Sequence, residues 1–256
     1  MTGANSLVQE ASNKANEIEK KIQEFFDKVN DVLSWVPGFL SDLIEPIRRG
    51  IEALNQKLRE FWDRVNQLWE QPGNSDRLKQ VGEQWVNEVG NVLGDIAGTI
   101  APDKLKTNIE WTGKAAEAYK ATIPAQVSGL NGLKDLANQL KSSLNNLGNS
   151  IDSFWIAAAF AFAGFVVGAV AAIATACTVV GIPAAIAIIA TAVGVALGLI
   201  GAAVMALNSH VNTIATEQST IKQKVHDLGA EWSKTNIGAM SDASVTDGDK
   251  SDWRVN

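Results

Sequence analysis

The sequence predicts an all-α protein: an elongated antiparallel helical bundle or coiled coil that carries a long apolar helical hairpin. Three observations carry this reading. No Asp, Glu, Lys or Arg occurs between Asp152 and Glu217. On both sides of that stretch, apolar residues recur at the alternating four- and three-residue spacing of a heptad seam. Alternating Val, Ile and Thr runs bounded by turn residues, the mark of strands, are not found.

In chain order, residues 5–34 read as an amphipathic helix with Ile18, Ile22, Phe25, Val29 and Val32 on one seam. Trp35 to Phe39, with Pro37 and Gly38, breaks it. A second helix follows with the cleanest seam of the chain: Leu40, Ile44, Ile47, Ile51, Leu54, Leu58, Phe61, Val65 and Leu68. Trp62 and Trp69 widen its apolar face, and Pro46 should kink the helix or mark its true start. Gln71 to Ser75 is a turn.

A third helix, over residues 76–100, places Leu78, Val81, Trp85, Val89, Val92 and Ile96 on its core face. Its glycines at 82, 90, 94 and 98 lower helix propensity or allow close packing. After Trp111 comes the longest element, interrupted early by Pro124, with Leu133, Ala137, Leu140, Leu144, Leu147 and Ile151 leading into the uncharged stretch. Gly132 and Gly148 are candidate bend points. The return seam is Leu207, Val211, Ile214, Gln218, Ile221, Val225, Leu228 and Trp232, in register with the outgoing arm about the tip. The chain thus divides into an N-terminal helical hairpin (1–74), a second helical hairpin (75–153), the apolar hairpin (154–207), a returning helix (208–232) and a disordered polar tail (233–256).

Each half of the uncharged stretch is roughly 24 residues, or about 36 Å of helix, against a hydrocarbon core of about 30 Å. The hairpin starts at Phe154 and Trp155, ends at Leu207, and turns at Gly181 and Pro183, where proline suits the first turn of a new helix. Gly164, Gly168, Gly194 and Gly198 give both halves small-residue ridges of the kind that let helices approach closely in lipid. The competing reading is a permanently buried core pair, since helices apolar all round also fill the centres of large helical proteins.

Composition excludes several function classes. The net charge of −6 provides no basic stripe for nucleic acid. His210 and His226 lie far apart with no Cys or carboxylate at ligand spacing, and no nucleophile elbow, phosphate loop or Cys-x-x-Cys occurs. No catalytic residue, cofactor site or metal site is therefore expected, and the protein reads as a non-enzyme. The one cysteine, Cys177, lies beside the hairpin tip. The N-terminus lacks a basic segment followed by an apolar run, so Sec-type export is not expected.

Trp111-Thr112-Gly113 followed by Lys114-Ala115-Ala116-Glu117-Ala118-Tyr119 is the informative motif. Glycine permits a tight bend between antiparallel helices, tryptophan fills the gap, and the alanines let the helices close. Over residues 76–150 this pattern resembles the Trp-Xaa-Gly family of helical hairpins exported by type VII (ESX) secretion systems. The resemblance implies export without a signal peptide and pairing with a helical partner. The family's Tyr-x-x-x-Asp/Glu export signal is missing, because Tyr119 is followed four residues later by Ile123. Either a partner supplies the signal, or the protein is not exported by that route.

Architecture alone also looks like that of helical pore-forming toxins. Taken together, these features imply an exported effector, soluble in the cytoplasm beforehand, whose hairpin inserts into a lipid membrane, as a homo-oligomer there or beside a helical partner. The alternatives are a structural or chaperone-like secretion partner with a covered hairpin, and a constitutive coiled-coil membrane protein. The flanks speak against the last, since no basic cluster or aromatic belt brackets both ends of the hairpin.

Overall fold

The heptad seams of the sequence become helices that bury them. A computed structural model describes residues 6–36, 41–105, 111–112, 114–233 and 254–255. Helix α1 spans Ser6–Ser34 and α2 spans Ser41–Glu70. The next run is α3 (Ser75–Gln84), a π-helical turn (Trp85–Gly90) and α4 (Asn91–Thr99). Two very long helices follow, α5 (Lys114–Thr175) and α6 (Ile182–Ser233), joined by a tip with a 3-10 turn at Val179–Gly181.

The chain divides into two compact units. One comprises Met1–Asp76 and Gly148–Val211, the other Arg77–Leu147 and Asn212–Asn256. The N-terminal and apolar hairpins therefore share a unit, and the returning helix of the sequence reading is a continuation of α6 rather than a separate element.

In the first unit, α1 and α2 cover one face of the apolar hairpin. The predicted seams hold: Ile18, Ile22, Phe25 and Val29 from α1, and Leu54, Leu58, Phe61 and Val65 from α2, are buried in one core with Phe162, Phe165, Ile182 and Ile189. Phe61 lies at its centre, edge-on to Phe162 and Phe165 with ring centroids 6.1 and 5.0 Å away. Helix α2 continues through Pro46. So near a helix start, proline forfeits little beyond one backbone hydrogen bond.

In the second unit, the run from α3 to α4 lies antiparallel on α5 through its glycines. A Cβ added at Gly82 would sit 3.2 Å from Lys141 Cα, one at Gly90 3.0 Å from Ala137 Cβ, and one at Gly94 2.9 Å from Lys134 Cδ. Lys141 also pairs with Glu83 at 2.8 Å. This corrects the expected core face. Trp85, Val92 and Ile96 are exposed, while Gly82, Gly90 and Ala97 are buried. For Val92 and Ile96, which follow it, the π turn is the physical reason. At about 100° per residue, Gly82 and Gly90 would be about 80° apart on an unbroken helix; the turn absorbs one residue and returns them to one face.

The arms of α5 and α6 pair in the expected antiparallel register. Ser143 Oγ donates to Glu217, Lys224 Nζ donates to Gln139 Oε1 at 2.9 Å, and Leu228 packs where a Gly132 Cβ would stand. Gly132 is a close-packing position rather than a bend. Val211 and Val225 of the predicted return seam are exposed. Nor does Pro124 interrupt α5, which runs through it, with Ala116 and Ile123 buried before it and Leu136 and Ala137 buried after it.

The fold is all-α as expected; beside its helices, Trp111–Thr112 pairs antiparallel with Arg254–Val255, two residues on each side. No periodic pattern could announce so short a pairing. The far end of the polar tail is thereby held, and residues 234–253, expected to be disordered, lie outside the described residues.

Candidate functional site

The uncharged hairpin is the candidate site, and the structure gives it two unlike faces. Its inner face repeats at helical spacing: Ala158, Ala161, Phe162, Phe165, Ala169 and Ala172 on α5, and Ile182, Ala185, Ile189, Val193, Ala196 and Ile200 on α6, are all buried. Its outer face is also apolar but uncovered. Phe160 is 73% exposed, Val167 70%, Val195 57% and Met205 69%. Between the helices on this side runs an apolar groove of about 470 Å³, lined among others by Gly164, Gly168, Ile188, Thr191, Val195 and Leu199. Both helices are long and apolar enough to cross a membrane, and only 39% and 33% of their most apolar windows are buried.

The glycines split accordingly. A Cβ at Gly168 would lie 2.7 Å from Ala192 Cβ, so this glycine sets the close approach of the two helices. Gly164, Gly194 and Gly198 have nothing within 4 Å of an added Cβ. Of the four ridge glycines, Gly168 alone joins the two halves, and the other three open outward.

The tip is closed by its own atoms. A Cβ at Gly181 would run into the Thr175 carbonyl, which explains the glycine, and Pro183 falls in the first turn of α6 as expected. Thr178 Oγ1 accepts from the Gly181 N–H at 3.1 Å. Thr175 Oγ1 donates to the Ala171 carbonyl and Thr191 Oγ1 to the Ala187 carbonyl, both at 2.8 Å. Cys177 is exposed, its Sγ 3.7 Å from the Ile173 carbonyl.

The base of the hairpin is clasped to the end of α2. Trp155 is buried and stacks on Trp69, with centroids 5.0 Å apart and planes at 15°. Its Nε1 donates to the Pro72 carbonyl at 2.8 Å. Gly73, at φ +73°, presses against Ile151, a conformation and a space that favour glycine. Trp155 is thus a core pin rather than an isolated interfacial aromatic, and Phe154 is buried beside it. Leu207 is half-buried against the same core. Nothing in sequence spacing links Trp69 and Pro72 to Trp155; two aromatics near the ends of adjoining apolar runs are the only hint.

Of the motif residues, Trp111 has the backbone pairing described above, Gly113 lies outside the described residues, and Tyr119 is half-buried on α5 with its carbonyl accepting from Thr122 Oγ1 at 2.8 Å. His210 and His226 are exposed on α6. Among the described residues, no group of three His, Cys, Asp or Glu is placed to hold a metal ion. The outer-face residues Phe160, Val167, Val195 and Met205 escaped sequence reasoning, because a helix apolar all round does not reveal which side is covered. No family model, curated protein or solved structure matches the chain.

Proposed function

We propose that the protein is an exported, non-enzymatic helical effector that delivers the hairpin 154–207 into a lipid membrane, with α1 and α2 as its built-in cover in water. The observation that carries this is the asymmetry of the hairpin: it is apolar on both faces, yet α1 and α2 cover one only. The heptad seams of α1 and α2 match a surface that lipid could cover in their place, and their departure frees both faces for insertion. Oligomers then form on the membrane through the inserted hairpins. Export of the type VII kind draws on the antiparallel pair made by residues 75–99 and α5 on either side of the Trp111 motif, with a helical partner supplying the missing signal.

Dye release from liposomes by detergent-free protein tests the reading. Gly194 is exposed with open space around it, so Gly194→Asp should fold normally. A charge at that depth costs about 2.5–3.5 kcal/mol on insertion scales, and release should fall accordingly. Equal release by wild type and variant, or none by either, rejects insertion. In that case the same packing of α1 and α2 supports the second reading, a structural or chaperone-like secretion partner whose hairpin stays covered.

A further inference from the structure

We infer that the uncovered face of the hairpin is a lipid-docking surface that works while α1 and α2 are still in place, so that docking precedes opening. This rests on the membrane reading above and adds an order of events and a contact face. Three observations carry it. The first is exposure: Phe160, Val167, Val195 and Met205 already face outward in the covered form, so no rearrangement is needed to present them. The second is charge. From Ser153 to Thr216 there is no Asp, Glu, Lys or Arg, and His210 lies beyond the hairpin's end at Leu207.

The third observation is polar satisfaction. Thr175 and Thr191 turn their hydroxyls back to the carbonyls of Ala171 and Ala187, and Thr178 caps the tip at Gly181. Protein–protein surfaces of useful size carry about one hydrogen bond per 100–200 Å² and a polar rim. This face offers few such groups, since the Thr175 and Thr191 hydroxyls donate to its own backbone and Thr178 Oγ1 accepts from it. A surface whose polar groups are satisfied internally is what hydrocarbon demands. That selects lipid over a second copy of the chain. Because the face is neutral, docking should depend on buried apolar area and not on lipid charge.

A lock separates docking from opening. The Gly50 position touches Ile186, where an added Cβ would be 3.2 Å from Ile186 Cδ1. Gly50→Cys with Ile186→Cys, in a Cys177→Ser background, should crosslink α2 to the hairpin far from the Gly73 turn. Crosslinking is checked by thiol titration of the full-length chain. The locked protein is expected to bind phosphatidylcholine liposomes within about twofold of the reduced protein, releasing no dye until reductant is added. Binding should be unchanged by phosphatidylglycerol or by salt. Phe160→Asp with Val195→Asp, both at exposed positions, should weaken binding of the locked form by about tenfold or more.

If the locked protein fails to bind while the reduced protein binds and releases dye, opening comes first; this inference falls and insertion stands. Failure of both forms to bind removes both readings. Binding untouched by the two aspartates places the contact elsewhere and also overturns the inference. Concentration-dependent self-association of the locked protein in solution, abolished by Phe160→Asp, would make a second copy the occupant instead.

Discussion

The two units hold helices together by opposite means. The first interlocks bulky side chains, with Phe25, Phe61, Phe162, Phe165 and Trp155 all buried. The second brings backbones close over Gly82, Gly90 and Gly94, with Ala137 against Gly90. Bulky cores remove much apolar area from water per residue, at about 25 cal/mol per Å². Glycine contacts remove little and depend on close fit. The contrast teaches where a chain can give way: the first unit loses stability when a side chain is removed, the second when one is added.

Phe61→Ala should break the first unit most severely, costing about 3–5 kcal/mol as a buried aromatic truncation. Urea unfolding followed by tryptophan fluorescence reads it, with Trp62, Trp69 and Trp155 in that unit and the signal of Trp85, Trp111, Trp232 and Trp253 from the other unit removed by Trp→Phe substitution. An addition sharpens the contrast in the second unit. Gly90→Val meets Ala137 and should cost about 1–3 kcal/mol by overpacking. Gly98→Ala, in the same run but facing open space, should stabilise by up to about 1 kcal/mol through helix propensity. Thermal melts of the two variants should therefore move in opposite directions.

Trp155→Phe is a finer cut. It keeps an aromatic ring against Trp69 but removes the N–H donated to the Pro72 carbonyl. A loss of about 0.5–1.5 kcal/mol is expected, measured by denaturant midpoint. The smallest effect belongs to the solvent side of α1. The Lys14 ammonium donating to Glu17 holds that carboxyl below its usual range; slight desolvation opposes this, and the charges of Lys14, Lys21 and Lys20 support it. A lowered folded value means the contribution is present above the unfolded carboxylate range and fades as pH falls through the folded one. Glu17→Gln should therefore melt slightly below wild type at neutral pH, and the two curves should converge in acid.

Much of this architecture was legible from periodicity. Ile18 to Val29 and Leu54 to Val65 fall where heptad spacing puts them, and the tip at Gly181 and Pro183 follows from two residues with few other uses. The faces of Val92 and Ile96 were misread because the π turn before them changes phase without changing composition. That the glycines at 164, 194 and 198 open outward was not legible for a related reason: spacing reports which residues share a face, and only the partner helix decides whether that face is covered. The candidate site was legible as a stretch but not as a surface. The clasp of Trp69, Pro72 and Trp155 depends on a long-range meeting that local pattern does not encode.

The exposed thiol at the tip makes the chain its own topological reporter. Cys177 is the one cysteine of the sequence and stands on the turn between the two long helices. A dye attached there needs no engineered residue and sits as far along each helix as the apolar stretch extends. If the hairpin stops within the outer leaflet, a reagent confined outside the vesicle quenches that dye. If the hairpin crosses, only reagent trapped in the lumen reaches it, and the depth of insertion becomes a choice between two compartments.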